Sequence, residues 1–160
     1  AGPAGPLAPD ELLGHVRLTQ ELRTPICVDE TLRDARAARQ TIELNGPQVW
    51  HIKAHRMGGL SETVRVYRLG RPCGAQLWAG TMPESGIGSQ AALAAAALPG
   101  FVYPSDLEPS TRWFGRNADV VKLAMDDHGR MEVPGVSVGG LLDLERFEAA
   151  TRLLAVTPGA

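Results

Sequence analysis

Two short apolar runs in the chain end in residues that could carry out metal or acid–base chemistry. Residues 25–30 read Pro-Ile-Cys-Val-Asp-Glu, and residues 49–53 read Val-Trp-His-Ile-Lys. Brief apolar runs that stop at charge are typical of buried parallel strands whose last residues emerge at the edge of a sheet. Because such strand ends meet at one edge, Asp29 and Lys53 predict a metal ligand beside a proton-transfer base. A plain salt bridge between neighbouring strands explains the two residues equally well.

The elements that would position these residues are alternating strands and helices. Residues 10–115 show this alternation with short connections, which indicates four parallel βα units. The predicted strands cover 25–29, 49–53, 75–79 and 101–103, and the predicted helices cover 10–22, 31–44, 61–70 and 89–98. Residues 1–9 are rich in Ala, Gly and Pro and predict a linker or loop. Residues 116–160 predict an irregular tail with a strand–turn–strand pattern over 119–133 and a last helix over 144–154.

Composition narrows the classes of protein. Of the 160 residues, 44% are hydrophobic and 21% are charged, which is typical of a globular domain. The net charge of -2 gives no electrostatic signal for nucleic acid or an anionic membrane. No apolar run approaches the ~20 residues that span a bilayer, so we expect a cytoplasmic protein. Cys27 and Cys73 are the only cysteines, too few for a disulfide scaffold or a thiolate metal site.

Five motifs occur along the chain in a specific order. They are Thr24-Pro25-Ile26-Cys27-Val28-Asp29-Glu30; His51-Ile52-Lys53 with Arg56-Met57-Gly58-Gly59; Trp78 with Gly80-Thr81-Met82-Pro83-Glu84-Ser85-Gly86-Ile87-Gly88; Leu98-Pro99-Gly100-Phe101; and Met131-Glu132-Val133-Pro134. Together they resemble the C-terminal barrel portion of the enolase superfamily, in its muconate-lactonizing subgroup. Within that subgroup the motifs are most similar to o-succinylbenzoate synthases and N-succinylamino acid racemases. The resemblance covers nearly the whole chain.

The resemblance implies an α/β fold, a partial (β/α) TIM-type barrel made of its C-terminal strands and helices. The N-terminal capping domain and the first half of the barrel would be absent from this stretch of sequence, and residues 116–160 would return to the capping domain. The implied chemistry is abstraction of a proton next to the carboxylate of a small-molecule substrate. Magnesium stabilises the enediolate that forms, and a lysine or histidine serves as base. No nucleic-acid or membrane partner is expected.

The resemblance also assigns roles to residues. Asp29 matches the third of three carboxylate metal ligands, and Lys53 matches one of two lysines that flank the substrate. Gly80, Thr81 and Met82 fall in the loop that would line the substrate pocket. Glu30 would orient the ligand beside it or pair with a neighbour.

Departures from the family pattern qualify these expectations. Alanine stands at position 4, where the family has the glutamate of its second metal ligand, and the Lys-x-Lys strand is absent. With one ligand of three and one lysine of two, we expect weak or no magnesium binding and no turnover by the isolated chain. The alternative is a truncated, inactive pseudo-enzyme or interaction fragment that forms homo-oligomers or associates through exposed strand edges. The resemblance implies either lyase or racemase activity and does not distinguish between them.

Other roles compete at the same positions. Asp29 precedes a predicted helix, so it, or Thr31, could cap that helix. Lys53 could form an ion pair with Asp29 or Glu30 rather than transfer protons. His51 and His55 are expected to have structural or loop roles rather than to bind metal.

Overall fold

The structure, a computed structural model, describes residues 5–114, 120–121, 123–135, 140 and 142–150. Helices and strands alternate along the first two thirds of the chain, as the sequence predicts. The elements are α1 (Leu12–Glu21), β1 (Cys27–Val28), α2 (Ala35–Glu43), β2 (Val49–Ile52), α3 (Leu60–Gly70), β3 (Gln76–Ala79), α4 (Gly86–Ala96), α5 (Thr111–Phe114) and α6 (Leu144–Ala150). No helix among these residues is long and apolar enough to cross a membrane.

The three strands form one parallel sheet in the order β1-β2-β3. Cys27 pairs with Val49, and Val49 pairs with Gln76, so the strands start level with one another. Since the connections between parallel strands run through α2 and α3, the strand ends that carry Asp29 and Lys53 lie at the same edge of the sheet. This edge is called the carboxyl edge below.

The helix-facing side of the sheet forms the main hydrophobic core. Side chains that alternate along the strands, such as Val28, Trp50 and Leu77, pack with residues of α2 and α3, including Ala38 and Val66. The Trp50 indole is buried, and its Nε1 donates a hydrogen bond to the Pro47 carbonyl oxygen at 2.8 Å. This packing fixes the strands against the helices and therefore fixes where each strand ends.

The outer strands of the sheet are partly covered by neighbouring chain. On the β1 side, the Gly5 amide donates a hydrogen bond to the Cys27 carbonyl oxygen at 2.9 Å. On the β3 side, Phe101 and Asp106 form isolated parallel bridges with Leu77 and Gly80. The predicted fourth strand over 101–103 is therefore only a single bridge in the structure.

Helix starts differ from the sequence predictions. Asp34 caps α2, because its Oδ1 accepts a hydrogen bond from the Ala37 amide at 2.7 Å. Neither Asp29 nor Thr31 does so, since α2 begins later than predicted. Glu62 from the first turn of α3 adds a second cap, accepting from the Ala35 amide at 2.8 Å. Gly59, not Ser61, precedes α3, and α4 begins before the predicted Ser89.

The described residues divide into two compact units. One comprises the residues up to Met82 together with Ala91–Leu107, and the other comprises Pro83–Gln90 with the described residues from Glu108 onward. The second unit has a small core of Val120, Val121 and Leu123. Its predicted strand pair is reduced to a bridge between Met125 and Met131, closed by a turn with Gly129 at φ +74°. The start of the predicted strand pair at residue 119 and the end of the predicted helix at residues 151–154 lie outside the described residues.

Candidate functional site

The carboxyl edge brings Asp29 and Lys53 together, as the strand-end pattern predicts. Lys53 Nζ lies 3.2 Å from Asp29 Oδ2. Both side chains are largely buried, with 9% of Lys53 and 11% of Asp29 exposed. The contact is the ion pair that the sequence offered as the simpler interpretation. It also places a carboxylate and an amine within hydrogen-bonding reach, as proton transfer beside a bound group requires.

Arg56, from the loop after β2, completes the surroundings of the Asp29 carboxylate. Its Nη1 contacts Asp29 Oδ1, and its Nη2 donates a hydrogen bond to the His51 carbonyl oxygen at 2.7 Å. Both carboxylate oxygens are thus held by cationic side chains, Arg56 on one and Lys53 on the other. The guanidinium therefore ties the Asp29 carboxylate to the end of β2.

Charge and burial act in opposite directions on Asp29. Burial alone would raise the pKa of its carboxyl group, because desolvation penalises the charged form. Contact with His51 and the charges of Arg56 and Lys53 outweigh burial and hold the pKa well below its usual range. The carboxylate is consequently charged at neutral pH. Burial, followed by the charge of Asp29, raises the pKa of the neighbouring Cys27 thiol to about 12.

His51 lies against Asp29 on the inner face of the sheet, the face opposite the helices. Its Nδ1 is 3.1 Å from Asp29 Oδ2, at an angle that falls short of a well-formed hydrogen bond. The imidazole stacks on the Trp78 indole with ring centroids 4.0 Å apart and planes 11° apart. A Cβ on Gly80 would overlap His51 Nε2 and lie 2.7 Å from Cε1, so this position requires glycine. Trp78 and Gly80 together fix the ring beside the carboxylate.

The loop predicted to line a substrate pocket reaches the same place. Met82 Sδ lies 4.0 Å from Lys53 Nζ, and 48% of Met82 is exposed. The Thr81 amide donates to the Asp106 carbonyl oxygen at 3.0 Å, and the Gly80 amide donates to the Ile52 carbonyl oxygen at 2.9 Å. These backbone hydrogen bonds hold the loop across the end of β2.

The described residues do not fit a magnesium ion by themselves. No group of three or more His, Cys, Asp or Glu side chains in that part of the chain could hold a metal. Asp29 is a single carboxylate with both oxygens in ion pairs, and Glu30 is exposed. Magnesium prefers several oxygen ligands in octahedral geometry. Ala4, where the family pattern has glutamate, lies outside the described residues.

Sequence reasoning predicted Asp29 and Lys53 but missed the contributions of His51 and Arg56. His51 precedes Lys53 by two residues, so strand alternation places both side chains on one face of β2. The same alternation puts Cys27 and Asp29 on one face of the chain at β1. That periodicity was the available signal for His51. Arg56 has no comparable signal, because a loop residue's direction does not follow from spacing.

Comparison with known proteins assigns the family. The family model described as enolase C-terminal domain-like matches residues 5–141. An N-succinylamino acid racemase of Thermus thermophilus is 43% identical over 148 residues, covering 91% of this chain and 40% of the relative. An o-succinylbenzoate synthase of Geobacillus stearothermophilus is 34% identical over 155 residues, covering 94% of this chain and 40% of that protein.

A solved structure agrees with the sequence relatives. A probable mandelate racemase from Alicyclobacillus acidocaldarius superposes with a TM-score of 0.84 at 33% identity, covering 94% of this chain and 39% of that one. The chain therefore spans about 40% of the length of the relatives it matches. The match confirms a partial TIM-type α/β barrel, as the order of motifs predicted. The chain belongs to the enolase C-terminal domain-like family.

Proposed function

We propose that this chain supplies the C-terminal part of an enolase-superfamily active site that abstracts a proton next to a substrate carboxylate. The proposed activities are those of the N-succinylamino acid racemases and o-succinylbenzoate synthases it resembles. The observation that carries the proposal is the 3.2 Å contact between Lys53 Nζ and Asp29 Oδ2 at the carboxyl edge. Those two residues stand where the family motifs have a catalytic lysine and a metal ligand.

Lys53 is proposed as the acid–base group on one face of the substrate. Its ammonium has three N–H donors, and Asp29 Oδ2 and Met82 Sδ are the acceptors near it in the described part of the chain. A third donor is therefore left for a substrate atom. Burial of the amine within a water-poor edge keeps that donor directed rather than solvated.

Gly80, Thr81 and Met82 are proposed to line the substrate pocket beside Lys53. Met82 brings a flexible apolar side chain next to the amine, which suits contact with the carbon part of a substrate. Gly80 and Thr81 contribute backbone that is already hydrogen-bonded and thus rigid. Glu30, the exposed neighbour of Asp29, is proposed to orient Asp29 or to pair with a neighbouring side chain at the edge of the site.

Asp29 is proposed as a magnesium ligand only where further carboxylates join it. Enolase-superfamily enzymes use bound magnesium to stabilise the enediolate. One carboxylate held by Arg56 and Lys53 does not provide the oxygen ligands that magnesium needs. We therefore propose that the chain alone binds magnesium weakly or not at all and is not competent for turnover.

The alternative function, an inactive pseudo-enzyme or interaction fragment, draws on the same ion pairs. If Asp29 serves only to neutralise Arg56 and Lys53, the cluster stabilises the sheet edge and does no chemistry. Homo-oligomers or association through the strand edges would then be its function. The two proposals differ in whether Lys53 is needed for turnover once the rest of a site is provided.

Complementation tests the proposal. The chain is co-expressed with the part of the Thermus thermophilus relative that lies outside the matched region. The complex is assayed with magnesium for racemisation of N-succinylamino acids and for dehydration to o-succinylbenzoate. Lys53→Met is compared with Lys122→Met, since these are the only lysines in the chain. We expect Lys53→Met to lower turnover by at least about 10²-fold, as for loss of a general acid–base, and Lys122→Met to leave it near wild type.

The outcomes separate the two functions. Turnover by the complex that survives Lys53→Met would overturn the catalytic role of Lys53. A stable complex with no turnover of either substrate would favour the inactive alternative. Turnover by the chain alone, or tight magnesium binding by the chain in calorimetry, would contradict the proposal that the chain alone is not competent.

A further inference from the structure

His51 is the buried residue at the carboxyl edge for which the proposed chemistry has no use. Its side chain is 3% exposed, and its Nδ1 lies 3.1 Å from the oxygen of Asp29 that Lys53 also contacts. Nε2 has no hydrogen-bond partner among the described residues. A buried imidazole without a full set of partners costs free energy, so its presence at this position calls for a compensating role.

Neighbouring groups hold the imidazole ring of His51 on two sides. One face stacks on Trp78 at 4.0 Å, and the Nε2 edge abuts Gly80 so closely that a methyl group there would overlap it. The His51 carbonyl oxygen accepts from Arg56 Nη2 at 2.7 Å. The side chain of His51 therefore contacts Asp29 directly, and its backbone contacts Arg56, which also holds Asp29.

The tautomer of His51 follows from these surroundings. With the proton on Nδ1, the ring directs an N–H toward the charged Asp29 carboxylate and leaves Nε2 as a bare acceptor against Gly80. With the proton on Nε2, a buried N–H would face Gly80 without an acceptor, and a lone pair would face the carboxylate. The first arrangement is the less costly one.

We propose that His51 is a positioning residue that sets the orientation of the Asp29 carboxylate and thereby the placement of Lys53. Arg56 holds Oδ1, and His51 limits rotation of the carboxylate by engaging Oδ2 from the inner face. Trp78 on β3 and Gly80 in the loop after β3 keep the imidazole in a fixed position. This proposal deepens the proposed function, but its test measures Lys53 directly and needs no turnover.

Two substitutions separate the effect of the Nδ1 nitrogen from the effect of the stacked ring. In His51→Asn the amide nitrogen can take the place of Nδ1, while the stacked ring is lost. In His51→Phe the ring can stay on Trp78, while both nitrogens are lost. His128→Asn, at an exposed turn position, is the matched control. Each protein is labelled under native conditions with an N-hydroxysuccinimide ester, and peptide mapping gives the labelling rate of Lys53 relative to that of Lys122.

A positioning role makes the two variants behave oppositely. We expect His51→Phe to raise the Lys53 to Lys122 labelling ratio about three- to tenfold, because the polar contact with the charged Asp29 carboxylate is lost. His51→Asn and His128→Asn should stay within about twofold of wild type, a spread well below that loss. The free energy of unfolding of each variant, measured in urea, separates a local change at Lys53 from global destabilisation.

The opposite pattern overturns the inference. If His51→Phe keeps the wild-type ratio while His51→Asn raises it, the residue acts through packing on Trp78 alone. An unchanged ratio in both variants would show that Arg56 suffices to orient Asp29. Either result leaves the complementation test of Lys53 unaffected, so failure of this inference is distinguishable from failure of the proposed function.

Discussion

Replacing Gly80 by alanine should be one of the more damaging single-methyl changes in the chain. The new Cβ would overlap His51 Nε2 and lie 2.7 Å from Cε1 and 3.0 Å from Cδ2, well inside the ~3.5–4.0 Å of ordinary carbon contacts. The ring cannot retreat, because Trp78 stacks on its face and Asp29 lies 3.1 Å from Nδ1. Residue 80 and the adjoining end of β3 must therefore move instead.

The size of the effect follows from the cost of overpacking a rigid site. Overpacking a well-packed core by one methyl group typically costs about 1–3 kcal/mol, and a neighbour that cannot move puts Gly80→Ala in the upper part of that range. In a His51→Ala background the obstruction is gone. Gly80 has no left-handed φ, so the same substitution should then stabilise by about 0.4–1 kcal/mol through the unfolded state.

Urea unfolding followed by far-UV circular dichroism measures both effects. The four proteins of the cycle are the wild type, Gly80→Ala, His51→Ala and the double variant, and their free energies of unfolding give the coupling between the two positions. Gly14→Ala is the matched control. Its Cβ would lie 2.6 Å from Leu7 Cδ1, but Leu7 is partly exposed and can swing away.

Gly14 is a suitable control because a Cβ added at either glycine would lie within 3 Å of a neighbouring side chain. Alanine is preferred over glycine in a helix by about 0.5–1 kcal/mol, so Gly14→Ala in α1 should be neutral or stabilising. A Gly80→Ala variant as stable as Gly14→Ala would refute the reasoning. So would a Gly80→Ala cost that His51→Ala does not relieve, because the obstruction would then lie elsewhere.

Three further predictions concern the cap of α2, the Asp29 carboxylate and the Cys27 thiol. Asp34→Ala should lower the free energy of unfolding by about 1 kcal/mol in urea titrations, because the Ala37 amide loses its acceptor, whereas a change within error would show that Glu62 caps α2 alone. The pKa of Asp29 in the folded protein lies below the ordinary value of 3.8, so the stabilisation is complete above that pH and is lost as the pH falls toward the lower folded pKa. The stability difference between wild type and Asp29→Asn should therefore shrink from pH 6 to ~3 in denaturant titrations, and a constant difference would contradict the cation contacts. An aromatic disulfide reagent at pH 8 should modify exposed Cys73 but not buried Cys27, whose pKa is raised to about 12, so Cys73→Ser should abolish the native reaction and Cys27→Ser should leave it intact.

The sequence was sufficient to predict that Asp29 and Lys53 stand at neighbouring strand ends. Apolar runs that stop at Asp29 and at Lys53 mark the carboxyl edge because parallel strands expose only their last residues there. The cap of α2 was not predictable in the same way. Asp29, Thr31 and Asp34 are all capping residue types, and the choice depends on where the chain turns after β1. Cations from the β2 end hold Asp29, which leaves the cap to Asp34.

The length of a strand could not be predicted from the local sequence pattern either. Residues 101–103 carry an apolar, aromatic sequence suited to a strand, yet only Phe101 pairs, through one bridge to Leu77. Tyr103 instead donates its hydroxyl to Gln76 Oε1 at 2.6 Å. Pairing depends on what lies beside the segment, so an isolated window cannot determine it. The same limit applies to Arg56, whose contact with Asp29 arises from a loop.

Charge balance at the carboxyl edge decides what the described site attracts. Two largely buried cations, Lys53 and Arg56, face one carboxylate, Asp29, so the cluster carries an excess of positive charge. A buried excess charge is costly unless a counter-charge joins it. An anionic group, such as a small carboxylate or further acidic side chains, would lower that cost, whereas a divalent cation arriving alone would raise it. Metal binding at Asp29 therefore requires additional acidic ligands first, while binding of an anionic group does not.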